Sequence, residues 1–392
     1  MLMKPLLNVL LAGLVWTGTA FAQSEQWLEY HTGLEAPTCH LLKVTTNAPP
    51  GVALPALNGR PYFARWITPM DPAGGRWLCL DRTRKNGPYD RLFIDSRGDG
   101  RLDDKPPVLA SLQSILASFP PTPVVFKGED GPVTDHLLFR FYSYDTMQVA
   151  PGQPAIPPEL LVYAAGWYEG RVNFDGVKKR VQLFDGNVNG TFNDMGLSPA
   201  ESDRIQIEGD KTGERFLGRM VEVDGKLFQI EVARDGAYVK VRKAENVTLG
   251  RVSVPENISE VATFGENGYF VRQPVKGELT LPAGKYRVVT WMINRKDEKG
   301  VPWTLTASDS APSAGFTVAA DQPAVLDIGE PIRSELTAAE SADRQVTFSL
   351  KFTGRQQEAI QMLRDGQTPA GPKLVLANAD GTQCYTNSFE FG

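Results

Sequence analysis

Histidine and cysteine are scarce: the 392 residues hold three of each, His31, His40 and His136, and Cys39, Cys79 and Cys384. At that spacing there is no CxxC redox pair, no HExxH or HxH metal motif and no histidine near a candidate nucleophile. Cys39 and His40 are adjacent, but neighbours on a strand point to opposite faces, which is poor geometry for a thiol–base pair. His136 opens an alternating segment, where a surface or cross-strand place is the default. GxSxG, P-loop and GxGxxG patterns are missing as well. Lys and Arg number 41 against 46 Asp and Glu, a net charge of −5 with both signs interspersed, so no basic stripe offers itself to nucleic acid. No apolar run reaches the roughly 20 residues of a membrane-spanning helix. Three cysteines allow one disulfide and a spare thiol, and Cys39–Cys79 is the pair nearer in sequence. The expectation from these absences is a protein that is not an enzyme.

What is present begins with an export signature. Lys4 precedes a short apolar run from Leu6 to Trp16, and Ala20-Phe21-Ala22 fits the small-x-small rule for signal peptidase. Residues 1–22 therefore read as a signal peptide, and no cysteine at the cleavage point suggests a lipid anchor. The mature chain is expected in the periplasm or outside the cell. It is long enough for two or three domains with conventional hydrophobic cores.

Short alternating or β-branched runs dominate: 41–45, 137–144, 221–232, 238–241, 286–292, 346–352 and 373–376, each bounded by Gly, Pro, Asn or Asp. Eight Asp-Gly pairs add turn signals, because both positions of a tight hairpin tolerate positive φ. The clearest joins Val221-Glu-Val to Lys226-Leu-Phe through Asp224-Gly225. Helical spacing occurs at 108–119, where flanking Pro-Pro pairs leave an extended crossing as the other reading, and at 356–363. The fold class expected is all-β, as several antiparallel β-sandwiches with long polar loops. A β-rich domain with Asp/Asn-Gly loops spans 23–245, a sandwich-like domain 246–333, and a C-terminal β module 334–392. Within the second of these, Leu281-Pro-Ala-Gly-Lys-Tyr286 resembles the hairpin of small prealbumin-like and immunoglobulin-like sandwich modules in exported bacterial proteins. That resemblance implies a sandwich and no activity.

One polar motif repeats without gaps. Asp95-Ser-Arg-Gly-Asp99-Gly100-Arg-Leu-Asp103-Asp104 aligns with Asp185-Gly-Asn187-Val-Asn189-Gly190-Thr-Phe-Asn193-Asp194, each after an apolar strand. Calcium takes six to eight hard oxygens at about 2.3–2.6 Å, and a short loop with Asp or Asn at alternate positions and Gly at the sixth supplies such an arc. Candidate metal ligands are thus Asp95, Asp99, Asp103 and Asp104 in the first loop, and Asp185, Asn187, Asn189, Asn193 and Asp194 in the second. Both resemble EF-hand and dockerin-type loops, and calcium is the cofactor this implies. The departures are Arg97 at the third position of the first loop, and Pro106 and Gly196 where a bidentate Glu would stand. Closure would fall to Asp104 and Asp194. A degenerate relative begins at Glu208, where Asp203-Arg-Ile-Gln-Ile-Glu208 echoes Asp90-Arg-Leu-Phe-Ile-Asp95. Against all of this stands the plainer reading, that Asp, Asn and Gly are ordinary turn residues.

The run from Gly170 to Asp194, with Asp203-Arg-Ile beyond it, is also similar to a segment of uncharacterised exported bacterial β-proteins. It implies secretion and a β scaffold with Asp/Asn loops. The function expected is a secreted, non-enzymatic, calcium-stabilised envelope or interaction module whose partner is a protein or glycan. The alternative is a secreted hydrolase working on glycans or peptides through carboxylates, which calls for a cleft that gathers several acids. Trp167, Tyr168 and Trp291 are either an exposed binding patch or, as large aromatics usually are, core.

Overall fold

The computed structural model describes residues 24–34, 38–128, 131–145, 156–210, 212–308, 315–340 and 345–390. The segment read as a signal peptide lies outside them. Within them the chain is strand after strand, 32 in all, with one 3-10 turn at Pro199–Glu201. No helix in them is long and apolar enough to cross a membrane. The all-β expectation holds, and the period-2 pattern is the reason. Along Gly131–Tyr142, Leu137, Phe139 and Phe141 turn inward while His136, Leu138, Arg140 and Tyr142 turn toward solvent. Asp135 falls on the inward side of that same strand.

Among the described residues three large hydrophobic cores follow from the sheet pairings, and a smaller cluster gathers Phe63, Cys79, Phe93 and Leu102. The first lies between a sheet of Tyr62–Ile67, Gly75–Asp81, Arg91–Ile94 and Val108–Leu109 and a sheet centred on Gly131–Tyr142, flanked by Glu159–Ala164 and Thr122–Gly128. Trp66, Leu78 and Leu92 meet Phe126, Phe139 and Phe141 there. Each such fully buried side chain contributes roughly 1.5–3 kcal/mol. The second core lies between the sheet of Ser24–Trp27, Tyr238–Lys243, Lys226–Val232 and Met220–Val223 and that of Glu29–Thr32, Gly166–Phe174, Val177–Phe184, Arg204–Ile207 and Glu214–Phe216. The third gathers Tyr286, Trp291, Ile293 and Leu305 between Leu249–Ser253, Glu278–Pro282 and Ala324–Val325 on one side and a larger sheet on the other.

The first two cores are interleaved in the chain. Residues 24–32 pair into the second sandwich, 39–164 build the first, and 166–243 return to complete the second. The outgoing and returning connections run side by side, with the Gly33 N–H donating to the Ala165 carbonyl at 3.0 Å.

Local readings fare unevenly. Asp175-Gly176 and Asp224-Gly225 have positive φ at both residues and close the hairpins expected of them. The stretch 108–119 is extended, as three short strands. Helical spacing at 356–363 misleads: Ala359–Arg364 is a strand, because its pairing with residues 303–308 outweighs local spacing. The Pro-Ala-Gly-Lys turn is a corner between two sheets rather than a hairpin, since Glu278–Pro282 pairs with Leu249–Ser253 while Gly284–Lys296 pairs with Glu260–Gly265. The buried Tyr286 hydroxyl ties the corner by donating to the Pro282 carbonyl at 2.8 Å. Trp291 and Tyr168 are core and Trp167 is half-buried. All three cysteines are free thiols, Cys39 and Cys384 exposed and Cys79 buried, so the Cys39–Cys79 pairing is corrected.

Candidate metal centre

The two Asp loops share one backbone design. Each follows a strand, Arg91–Ile94 or Val177–Phe184, whose end delivers an aspartate into a buried position. Asp95 accepts from the N–H groups of Gly98 (2.7 Å), Asp99 (3.1 Å) and Gly100 (3.0 Å). Asp185 accepts in the same way from Asn189 (3.1 Å) and Gly190 (2.7 Å). Positions four and six have positive φ in both: Gly98 and Gly100 in the first loop, Val188 and Gly190 in the second. The sequence repeat is therefore a repeat of conformation. Position four differs in chemistry, because Val188 at φ 55° is a β-branched residue held in the left-handed region.

Charge separates the two loops. In the first, Asp103 pairs with Arg101 at 3.1 Å and Asp104 with Arg97 at 4.0 Å. Asp99 caps the next turn through the Arg101 N–H. Behind Asp95, the buried Arg76–Asp71 ion pair (2.6 Å) sends a guanidinium N–H to the Asp95 carbonyl. This loop carries its own cations, and its four candidate carboxylates do not face a common point.

In the second loop Asp194 Oδ2 accepts from Asn187 Nδ2 (2.9 Å), Asn189 Nδ2 (2.7 Å) and the Thr191 hydroxyl (2.6 Å). Asn189 Oδ1 accepts from the Thr191 N–H at 2.8 Å, Asn187 Oδ1 is buried without a donor, and Asn193 is half-buried in the same loop. Three of the five candidate ligands, Asn187, Asn189 and Asp194, thus form one side-chain knot, while Asp185 binds the backbone of the same loop. Asp203 joins it: its Oδ1 accepts from the Gly186 N–H (3.0 Å) and its Oδ2 from the Asp194 N–H (2.7 Å), pinning both ends of the loop. Among the described residues no Lys, Arg or His lies within 4.0 Å of Asp185, Asp194 or Asp203 to form an ion pair. Nor do three His, Cys, Asp or Glu side chains alone converge tightly enough to hold a metal there. The donor set is Asp and Asn oxygens, hard ligands of the kind calcium takes.

Burial without counter-charge has a cost, and the pKa values record it. Desolvation, then the charge of Asp135, pushes the Asp185 carboxyl up, against the opposing pull of the loop N–H groups. Desolvation, then Asp185, pushes Asp203 up in turn. Asp135 sits across the junction, on the first sandwich. Its Oδ1 accepts from the Tyr30 hydroxyl (2.9 Å) and from the His136 N–H (2.7 Å), and its Oδ2 is buried without a donor. Burial raises its carboxyl to about 6 despite those hydrogen bonds. The same burial lowers His136, whose Nδ1 lies 3.2 Å from the Tyr30 oxygen.

The Glu208 relative does not form a loop of this kind. Glu208 accepts from the Arg180 N–H at 2.9 Å, and Asp210 pairs with Arg215 at 3.1 Å. Asp203 and Asp135 escaped the sequence-derived ligand list. The Asp-Arg-Ile echo marked Asp203, whereas Asp135 carried no local signal.

Clefts open elsewhere. One of about 290 Å³ lies between the second and third sandwiches, and its charges are matched in pairs: Lys179 with Asp224 (2.9 Å), Arg215 with Asp210 (3.1 Å) and Arg272 with Glu222 (2.6 Å). Another of about 210 Å³ is walled by Tyr89, Leu116 and Phe141, with the Arg82–Asp145 pair at its rim. The carboxylates with raised pKa line neither. Compared with family models, with curated proteins and with solved structures, the chain matches none.

Proposed function

We propose that this chain is an exported, non-enzymatic β-sandwich protein of the cell envelope, in the periplasm or outside the cell. On this reading it serves as an interaction module for a protein or glycan partner and is stabilised by calcium at residues 185–194. The observation that carries the reading is the placing of acid groups. Among the described residues, Asp185 and Asp203 are buried together at a sandwich junction with no Lys, Arg or His in ion-pair range, while the acids of the 290 Å³ cleft are tied to Lys or Arg. A buried carboxylate pair must be neutralised by protons or by a cation. Carboxylates sealed in a joint support a structural role over a hydrolytic one, which needs acids facing substrate. Lys4, the apolar run to Trp16 and Ala20-Phe-Ala22 support export.

Asp185, Asn187, Asn189 and Asp194 would hold the ion, with Asp203 bracing the loop behind them. Asn187 is the adaptable member: rotating its carboxamide by half a turn exchanges the nitrogen that faces Asp194 for the unpartnered oxygen. Calcium supplies positive charge and a fixed arc of oxygen contacts, which lowers the cost of burying the acids. The first loop, neutralised by its arginines, has no such need.

Thermal unfolding of the mature protein in EDTA, in millimolar magnesium and in millimolar calcium tests this. The midpoint should rise with calcium alone, and Asp185→Ala should abolish the rise. At a hundredfold excess over Kd, binding stabilises by about 2.7 kcal/mol, a shift easily resolved. The same midpoint in all three buffers would refute the calcium site.

A further inference from the structure

We propose that cation binding at residues 185–194 and docking of the first sandwich onto the second are one linked equilibrium, because the ligand loop is also the wedge that joins the two cores. The proposal rests on the calcium reading above and adds what that calcium would regulate.

The loop belongs by sequence to the second sandwich, following the strand Val177–Phe184. Its fourth residue does not pack there. Val188, 2% exposed, belongs to the first core with Trp66, Phe126 and Phe139. Its carbonyl accepts the Trp66 indole N–H at 2.6 Å, a buried bond between residues 122 apart in the chain. Two positions on, a Cβ at Gly190 would lie 3.3 Å from Trp66 and from the Thr68 hydroxyl and 3.4 Å from Phe126, so the loop backbone lies against the first sandwich. In the first loop Gly98, the equivalent of Val188, backs onto Asp71 and Arg76 of its own sandwich, and a Cβ at Gly100, the equivalent of Gly190, would meet only the Gly51 carbonyl at 4.0 Å. The wedge is thus a property of the second loop alone.

The observation that points to a ligand at this joint, apart from the acid cluster, is on the opposite wall. Asp135, 4% exposed and carried by the first sandwich, keeps an unpartnered Oδ2, while its Oδ1 accepts from the Tyr30 hydroxyl of the second sandwich at 2.9 Å. Docking the sandwiches encloses this acid at the same junction as the loop, and a cation on the loop offsets the cost of burying acids there. By linkage, whatever fixes the loop favours docking, and whatever disturbs the docked wedge weakens the ion by the same factor.

The test uses the full mature chain, titrated calorimetrically with calcium chloride and, in parallel, magnesium chloride. Deuterium exchange is read along 62–67 and 122–128, strands that hold none of the proposed ligands. Calcium should slow exchange in both, and Trp66→Phe, which keeps a ring but removes the indole N–H, should weaken calcium binding about fivefold. Val188→Ala should weaken it as well. If the wild-type chain binds calcium while exchange in those strands is unchanged and both variants bind as tightly, the linkage is wrong and the site stands. If the wild-type chain binds no calcium, the site itself is wrong and the linkage falls with it. The exchange measurement on the unmutated chain decides the matter even if a variant folds poorly.

Discussion

Val188 offers the sharpest mutational test, because its burial and its backbone pull in opposite directions. Truncating it to alanine removes two buried methyl groups, worth about 1.6 kcal/mol at roughly 0.8 kcal/mol each. Going on to glycine removes a third, another ~0.8 kcal/mol, and adds the ~0.5–1 kcal/mol that glycine's extra unfolded-state freedom costs. At an ordinary buried strand position glycine would therefore lie about 1.5 kcal/mol below alanine. Val188 has φ 55°, where a Cβ costs roughly 1–2 kcal/mol that glycine does not incur. The contributions nearly cancel, so Val188→Gly should match Val188→Ala to within about 0.5–1 kcal/mol, both about 1–2 kcal/mol below wild type. Urea unfolding followed by tryptophan fluorescence gives the comparison, provided the slope is the same for both variants. A glycine variant lower than the alanine variant by about 1.5 kcal/mol or more would falsify the claim of left-handed strain.

Three further outcomes follow from the same geometry. Gly98→Ala should cost about 3 kcal/mol or more, since the new Cβ would meet Asp71 Oδ2 at 2.4 Å and Arg76 Cζ at 2.7 Å and disturb a buried ion pair; an unchanged urea midpoint would contradict this. Asp135→Asn should alter the pH profile of stability. The wild-type carboxyl titrates near 6 when folded against 3.8 as its ordinary value, so its stabilising protonation is complete below about 4 and lost as pH rises through 6. The variant should gain on wild type by up to ~3 kcal/mol between pH 4 and pH 7.5, and melting midpoints that run parallel across that range would rule the effect out. In native protein a thiol reagent should label Cys39 and Cys384 only, because Cys79 is buried with its thiol pushed up to about 12; mass-mapped labelling of Cys79 before unfolding would contradict its placement.

The architecture was readable where chemistry is local. Alternation along 137–144 and 221–232, and Asp-Gly at positions that demand positive φ, report backbone conformation directly, and the sheets follow. The misreading at 356–363 came from a segment whose pairing with Pro302–Ser308 outweighs its own periodicity. At the loops, spacing marked Asn187, Asn189 and Asp194, whose side chains do come together, and Asp185, which holds the loop backbone, but it marked the first loop equally. What divides them is Arg97 and Arg101, visible in sequence as non-ligands yet acting as built-in counter-charges. Asp135 could not be found, because the partner that identifies it, Tyr30, lies 105 residues away in the chain. Val188 stands at a position to which ligand spacing assigns no role. Its counterpart Gly98 was the clue, since a glycine there announces a backbone that valine adopts only when something else holds it.

The insertion of one sandwich within another also sets an order of assembly. Trp27 finds its sheet partner at Tyr238, and Glu29 finds its own at Glu169. A chain emerging from a pore amino end first therefore presents two strands that stay unmatched until the whole intervening unit has emerged. That unit can close on itself meanwhile, because its ends leave together at Gly33 and Ala165. The leading strands are thus a late seam rather than a nucleus. A shortened chain that stopped before residue 238 would leave the first of them as a bare edge, open to pairing with another copy.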